Sequence, residues 1–274
     1  MTPLTADSIR AALRDLPAIV HVEHRASIGS TNDRARELAQ TGQPEITLIS
    51  ADEQTAGRGR QNRSWYTPPG AALALSLLVR PAIPARQAMR LTMLAGLAAV
   101  EGIETATGLS LGLKWPNDVV TVNDERLHPS AFGPQPLKIG GILTEAAFSG
   151  DVIEYAVIGL GINVNVDFGD HPALRDMATS LMALSGNPID RAGVLKAIVA
   201  AFVARYRRRG DDLRAAWAAR LINLHQTVRV QLGDELITGQ ADGVDEDGAL
   251  LVRAADGKVR RMLAGDVTLH GAAE

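Results

Sequence analysis

Apolar residues recur at helical spacing over residues 5–16, where Ile9, Leu13 and Leu16 share one face, predicting a short amphipathic helix. Residues 19–23 read as a strand, and residues 31–40 as a helix closed by Gly42. A strand over 46–53 runs into a long polar stretch, 54–69. Residues 71–79 are almost wholly apolar, so that strand should be buried on both faces. An Ala- and Leu-rich helix over 87–107 ends at Gly108. Strands are expected at 111–115, 119–122, 137–148 and 153–163, then helices at 172–184, 191–208 and 211–221. Residues 124–136 hold three prolines and a glycine and read as an exposed loop.

The pattern changes near Asn223. Short strands at 228–232, 235–241, 249–254, 259–263 and 267–269 are punctuated by Gly233-Asp234, Asp247-Gly248 and Asp256-Gly257 turns. Two domains are expected, 1–222 and 223–274, the second a small β-barrel. The fold class is α+β, with a mixed, mostly antiparallel sheet and packed helices. The reason is that consecutive strands are joined by short loops, whereas a parallel sheet needs a crossover helix between them.

Composition narrows the function. The 274 residues are 46% hydrophobic, enough for a proper core, and the net charge of −3 argues against a general nucleic-acid binder. With no cysteine, disulfides and thiol chemistry are excluded. No stretch is long and apolar enough to span a bilayer, and the N-terminus has no signal-peptide pattern, so no membrane contact and a cytoplasmic location are expected. There is no P-loop, no H-E-x-x-H and no G-x-S-x-G elbow, and the six histidines are scattered.

The candidate chemistry lies in five segments. Gly57-Arg58-Gly59-Arg60 follows a strand, and its glycines admit an anion to the backbone while its arginines offer planar donor forks. Alone it reads equally as a solvated basic turn. Ser30-Thr31-Asn32 opens a helix and is also an ordinary N-cap cluster. Lys114-Trp115-Pro116-Asn117-Asp118 ends a strand, because Pro116 interrupts the ladder. The segments 138–145 (Lys-Ile-Gly-Gly-Ile-Leu-Thr-Glu) and 159–165 (Gly-Leu-Gly-Ile-Asn-Val-Asn) complete the set. The latter is no dinucleotide fingerprint, since Val164 stands where the third glycine belongs.

These five segments, in this order, resemble the biotin protein ligases in a monofunctional form, over residues 30 to the C-terminus. The resemblance implies a class II synthetase-like catalytic domain, an SH3-like C-terminal domain, biotin as substrate, and ATP with Mg²⁺. Biotinyl-5′-AMP would form first, and its acyl group would pass to a lysine of a biotin carboxyl carrier protein of acetyl-CoA carboxylase or another biotin-dependent carboxylase. It also implies residue roles. Ser30, Thr31, Asn32 and Gln54 would hold the ureido head of biotin. Gly57, Arg58, Arg60, Trp65, Lys138, Gly141, Gly159 and Gly161 would line the rest of its pocket, with Gly140 leaving room for its tail. Arg58, Arg60, Lys114, Asn117, Lys138 and Asn163 would contact ATP, Asp118 would hold Mg²⁺, and Lys138, Arg60 and Asp118 would be catalytic. Family members usually carry glycine at the position of Asn62, and a shorter turn where residues 123–136 stand. Only about 29 residues precede Ser30, so no DNA-binding helix-turn-helix is expected. Homodimerisation through a sheet edge, common in the family, stays open. A lipoate ligase and a non-catalytic biotin sensor are the rival readings. The first should lack the Gly-Arg loop, and the second could dispense with Lys138 and Asp118.

Overall fold

The computed structural model describes residues 4–122, 136–208, 212–232 and 235–269. Its elements run α1 (Ala6–Ala12), β1 (His21–Ile28), α2 (Thr31–Gln40), β2 (Thr47–Gln54), β3 (Leu73–Val79), α3 (Met89–Thr107), β4 (Leu111–Lys114), β5 (Asp118–Thr121), β6 (Lys138–Ser149), β7 (Val152–Ile162), α4 (Pro172–Arg175), α5 (Leu181–Ser185), α6 (Arg191–Arg207) and α7 (Leu213–Ala218). Five short strands follow: β8 (Thr227–Leu232), β9 (Glu235–Val244), β10 (Leu250–Ala254), β11 (Val259–Met262) and β12 (Asp266–Leu269).

The main sheet has seven strands in the order β1-β2-β3-β7-β6-β5-β4. Only β1 and β2 pair in parallel, with α2 as their crossover; every other pairing is antiparallel. β3 is buried along its whole length, as its apolar run requires. Its odd positions, Leu73, Leu75, Leu77 and Val79, enter the large core beneath α3 and α6, while Leu78 packs in a second cluster with Ala35 and Leu38 of α2. The helices α3 and α6 touch closely because Gly102 has no side chain; a Cβ there would lie 2.5 Å from the Ile198 backbone. No helix among the described residues is long and apolar enough to cross a membrane.

Two expectations need correction. The region 172–184 is two short helices, because Asp176–Ser180 leaves the helix to let Lys138 N–H donate to Met177 O and Thr179 N–H to Lys138 O. Those bonds tie this segment to the start of β6. The C-terminal strands form an open antiparallel sheet, β11-β10-β9-β8-β12, with no pairing of β12 to β11 that would close a barrel among the described residues. The turn 233–234 and the loop over 123–135 fall outside the described residues.

Candidate active site

Sheet register builds the floor of the site. Ala51, Ala74, Gly161, Gly141, Asp118 and Lys114 lie abreast on six adjacent strands. Side chains in such a row share a face. The row therefore runs from small residues at the sheet centre to an acid and a base at its edge. The next row on that face is Ile49, Ser76, Gly159 and Leu143.

The charged groups of four segments converge at the end of this floor. Lys138 Nζ lies 2.6 Å from Asp118 Oδ1, and a Cβ on Gly141 would sit 3.3 Å from Lys138 Cε. Lys138 Nζ also stands 5.4 Å from the centroid of the Trp65 ring. Arg60 donates to Asn117 Oδ1 at 3.2 Å and to Gly265 O at 3.5 Å. Asn117 is itself fixed, its Nδ2 donating to Ile142 O at 2.9 Å. The Lys114 ammonium makes no hydrogen bond or ion pair with the described residues. Burial holds its ammonium below the ordinary lysine range; Asp118 draws it back up, and Lys138 pushes it down further. Burial likewise depresses the Arg60 guanidinium, offset in part by Asp266 and Asp118. Among the described residues, Arg60, Lys114, Lys138 and Arg63 face only Asp118 and Asp266, leaving a surplus of positive charge suited to an anionic ligand.

The loop carrying Arg60 is a tight hairpin. Trp65 N–H donates to Gly57 O at 2.8 Å and Gly59 N–H to Arg63 O at 2.7 Å. A Cβ on Gly57 would lie 2.6 Å from Trp65 O, so only glycine fits there. The loop turns through Gln61 (φ 55°) and Asn62 (φ 57°), so Asn62 adopts the left-handed conformation, which asparagine tolerates better than most residues. Arg63 pairs with Asp266 of the C-terminal sheet. An Asn62→Gly variant should keep full activity. A β-branched Asn62→Val should distort the loop, at a cost of about 1–2 kcal/mol, slowing turnover and lowering the melting temperature by a few degrees.

A cluster of polar side chains lies beside these charges. Gln54 Oε1 accepts from Thr31 N–H at 2.9 Å and lies 3.1 Å from Thr31 Oγ1, and Gln54 Nε2 donates to Thr67 Oγ1 at 3.3 Å. Ser30 occupies the N-cap of α2 without a side-chain capping bond, so its buried hydroxyl is not spent on the helix. Trp65 Nε1 is buried with no hydrogen-bond partner. It lies 2.3 Å from where a Gly161 Cβ would stand, and Asn32 Oδ1 is equally close to a Gly159 Cβ. The two glycines make room for these side chains.

Three expected residues are placed differently from the rest. Arg58 turns to α2, where its fork grips Asp33 at 2.6 and 2.7 Å and holds that carboxyl below its usual range. Asn163 donates its Nδ2 to Thr179 O at 3.1 Å and to Lys138 O at 3.4 Å, bracing β7 against β6. A Cβ on Gly140 would strike Ile162 and Gly161 O, so that glycine serves strand packing. Residue reading missed Ser76, Thr67, Asp33 and the Gly265-Asp266 corner. Ser76 left a trace, a lone hydroxyl in the apolar run of β3; the corner lies far away in sequence and left none.

A small-residue floor with clustered polar side chains and gathered cations beside it suits the joining of a carboxylate to a phosphate, as in ligases that work through an acyl-adenylate. The chain belongs to the Biotin/lipoate A/B protein ligase family, whose pattern matches residues 25–163, and residues 224–269 match the Biotin protein ligase C terminal domain. It is 36% identical over 271 residues to the bifunctional ligase/repressor BirA of Bacillus spizizenii, covering 97% of this chain and 79% of that protein. It is 32% identical to the biotin–[acetyl-CoA-carboxylase] ligase of Paracoccus denitrificans, covering 85% of this chain and 94% of that one. The biotin protein ligase of Aquifex aeolicus, solved in complex with biotin and ATP, superposes with a TM-score of 0.71 at 26% identity, covering 92% of this chain and 99% of that chain.

Proposed function

We propose that this chain activates biotin with ATP to biotinyl-5′-AMP, releasing pyrophosphate, and then transfers the biotinyl group to a lysine of a biotin carrier protein. The observation that carries this reading is the gathering of Arg60, Lys114, Lys138 and Asp118 at the end of a pocket lined by Ser30, Thr31 and Gln54. A cyclic urea needs each polar atom matched, since an unpaired one costs about 1–3 kcal/mol.

The biotin carboxylate attacks the α-phosphorus of ATP. Two anions brought to 4 Å repel by about 4 kcal/mol per charge pair at an effective dielectric near 20. Lys138, Arg60 and Lys114 offset that repulsion and stabilise the charge developing on the phosphoryl oxygens. A lysine suits the reacting centre because its point charge tolerates a changing geometry. Once Lys138 turns to the anions, Asp118 is released to orient the carrier lysine; its ammonium gives up a proton to solvent, and the neutral amine attacks the acyl carbon, breaking the acyl–phosphate bond and expelling AMP. No three carboxylates or histidines cluster among the described residues. Asp118 fits Mg²⁺ in the manner that ion prefers, one carboxylate with phosphates and water completing its shell, where the ion would act as a Lewis acid. Trp65 would cover the ligand and exclude water from the mixed anhydride.

Hydroxylamine trapping tests the reading. With ATP and Mg²⁺, biotin should yield biotin hydroxamate and lipoate should yield none; lipoyl hydroxamate, or no product, rejects it. A pH profile tests Lys114. Its native cation is disfavoured, so its proton leaves at lower pH than from a free lysine. Hence kcat/KM for ATP should fall on the alkaline side before the ordinary lysine range, and Lys114→Arg should move that limb upward. An unmoved limb removes Lys114 from the phosphate site.

A further inference from the structure

The geometry points to Glu145 as a positioning residue that sets the donor–acceptor polarity of the ureido pocket, acting through Asn32 and Ser76. This rests on the assignment of that pocket to the ureido ring.

Glu145 Oε2 takes a hydrogen bond from Asn32 Nδ2 at 2.7 Å, and Leu143 O takes a second at 3.3 Å. A carboxylate and a backbone carbonyl only accept, so the amide nitrogen of Asn32 must face them. Its oxygen then faces Ser76, whose Oγ lies 2.6 Å from Asn32 Oδ1. That oxygen cannot donate, so the single Ser76 proton is committed to it. Ser76 Oγ also lies 2.8 Å from Thr31 Oγ1, and with its own proton spent it can only accept there. Of the two acceptors open to the Thr31 proton, Ser76 Oγ at 2.8 Å is closer than Gln54 Oε1 at 3.1 Å and takes it.

The consequence appears at the pocket wall. Two hydroxyl protons serve three contacts: Ser76 to Asn32, Thr31 to Ser76, and Thr31 to Gln54. The third contact, 3.1 Å between Thr31 Oγ1 and Gln54 Oε1, is left without a hydroxyl proton. Both oxygens turn lone pairs outward, and a ring N–H of a cyclic urea supplies the missing donor. Ser30, free of capping, faces the urea carbonyl as donor. With the Asn32 amide reversed, each proton would step the other way. Asn32 would donate to Ser76, Ser76 to Thr31 and Thr31 to Gln54, and Thr31 and Gln54 would each have one lone pair fewer to offer a ligand. Glu145 at 2.7 Å, helped by the Leu143 carbonyl at 3.3 Å, opposes that reversal, since it would turn the Asn32 oxygen onto two acceptors. Arg36, at 3.1 Å, and Arg58, at 3.9 Å, hold the carboxylate in place.

The isosteric Glu145→Gln side chain can pair with Asn32 in either orientation, leaving only the longer contact to Leu143 O, at 3.3 Å, to oppose reversal. It should raise the biotin KM about tenfold, leaving the ATP KM, kcat at saturating biotin and the melting temperature close to wild type. The Asn32→Asp/Glu145→Gln double variant restores one enforced polarity, an acceptor toward Ser76 and an amide toward the new carboxylate. It should bind biotin more tightly than Glu145→Gln alone. An unchanged biotin KM in the single variant, equal losses for biotin and ATP, or a double variant weaker than the single overturns the proposal. Thr31→Val separates the two levels. If it weakens biotin while Glu145→Gln does not, only the role of Glu145 falls; if Thr31→Val has no effect, the pocket assignment itself falls.

Discussion

Replacing Lys138 with alanine should lower the rate of biotinyl-5′-AMP formation by about 10²–10³-fold, the usual loss when one charge-stabilising donor is removed from a transition state. Lys138 is the cation bonded to Asp118 and poised beside Trp65, where the proposed biotin and phosphate sites would meet. Its side chain is one-third exposed, so the lost ion pair contributes little to folding. Melting should therefore shift by only a few degrees, and circular dichroism should match wild type. Lys138→Arg should rescue poorly, since a planar fork cannot follow a changing phosphorus geometry as a point charge does. Pyrophosphate release in single turnover gives the rate. Near-normal turnover in a folded variant would remove Lys138 from the chemistry.

The largest expected stability effect lies elsewhere. Arg191, with only 4% of its side chain exposed, donates to Asp52 Oδ1 at 2.8 Å and to Ala72 O at 3.1 Å. It sits in the first turn of α6, just past the Asp190 cap. Asp52 leads from β2 toward the Gly-Arg loop, so this pair ties a helix to the strand that launches the site. Arg191→Met leaves a carboxylate without its partner, a loss of about 3–5 kcal/mol for a buried pair, or about 6–20 °C in melting temperature for a chain of this size. His24, 4.0 Å from Asp52, cannot compensate at neutral pH, because burial lowers its pKa against the pull of Asp52.

The sign of the pH effect follows. The native state disfavours protonated His24, so its contribution is intact above the unfolded pKa of about 6.5 and is lost as pH falls below it. In Arg191→Met the unpaired Asp52 favours the charged imidazole, and the stability deficit against wild type should be smaller at pH 5 than at pH 8. Adding Asp52→Asn should recover much of the loss by removing the lone charge. A single variant that melts within a degree or two of wild type contradicts this account.

Local rules made most elements legible. The apolar run of β3 predicted a strand buried on both faces, and α2 began and ended where the cap cluster and Gly42 placed it. The sequence also exposed the segments that carry Arg60, Lys114, Asp118 and Lys138, since Gly, Pro and charge interrupt apolar patterns in ways that demand an explanation. The register that sets Lys114, Asp118, Gly141 and Gly161 in one row is a long-range property, and no local pattern encodes it. The fate of Arg58 is similar, because its pairing with Asp33 depends on where the hairpin lands against α2. The break over Asp176–Ser180 was hidden because the hydrogen bonds to β6 that reward it are formed by residues about forty positions away. The open C-terminal sheet shows the limit of counting strands: five short strands permit closure without requiring it.

The central claim is that separate cations meet on one ligand. A crystal structure with a non-hydrolysable sulfamoyl analogue of biotinyl-5′-AMP tests it most directly. The account predicts the ureido ring against Ser30, Thr31 and Gln54, with the side chains of Arg60, Lys114 and Lys138 all turned to the carboxyl–phosphoryl junction and Lys138 withdrawn from Asp118. A ligand bound with Lys138 still on Asp118, and with Arg60 and Lys114 directed elsewhere, would contradict it.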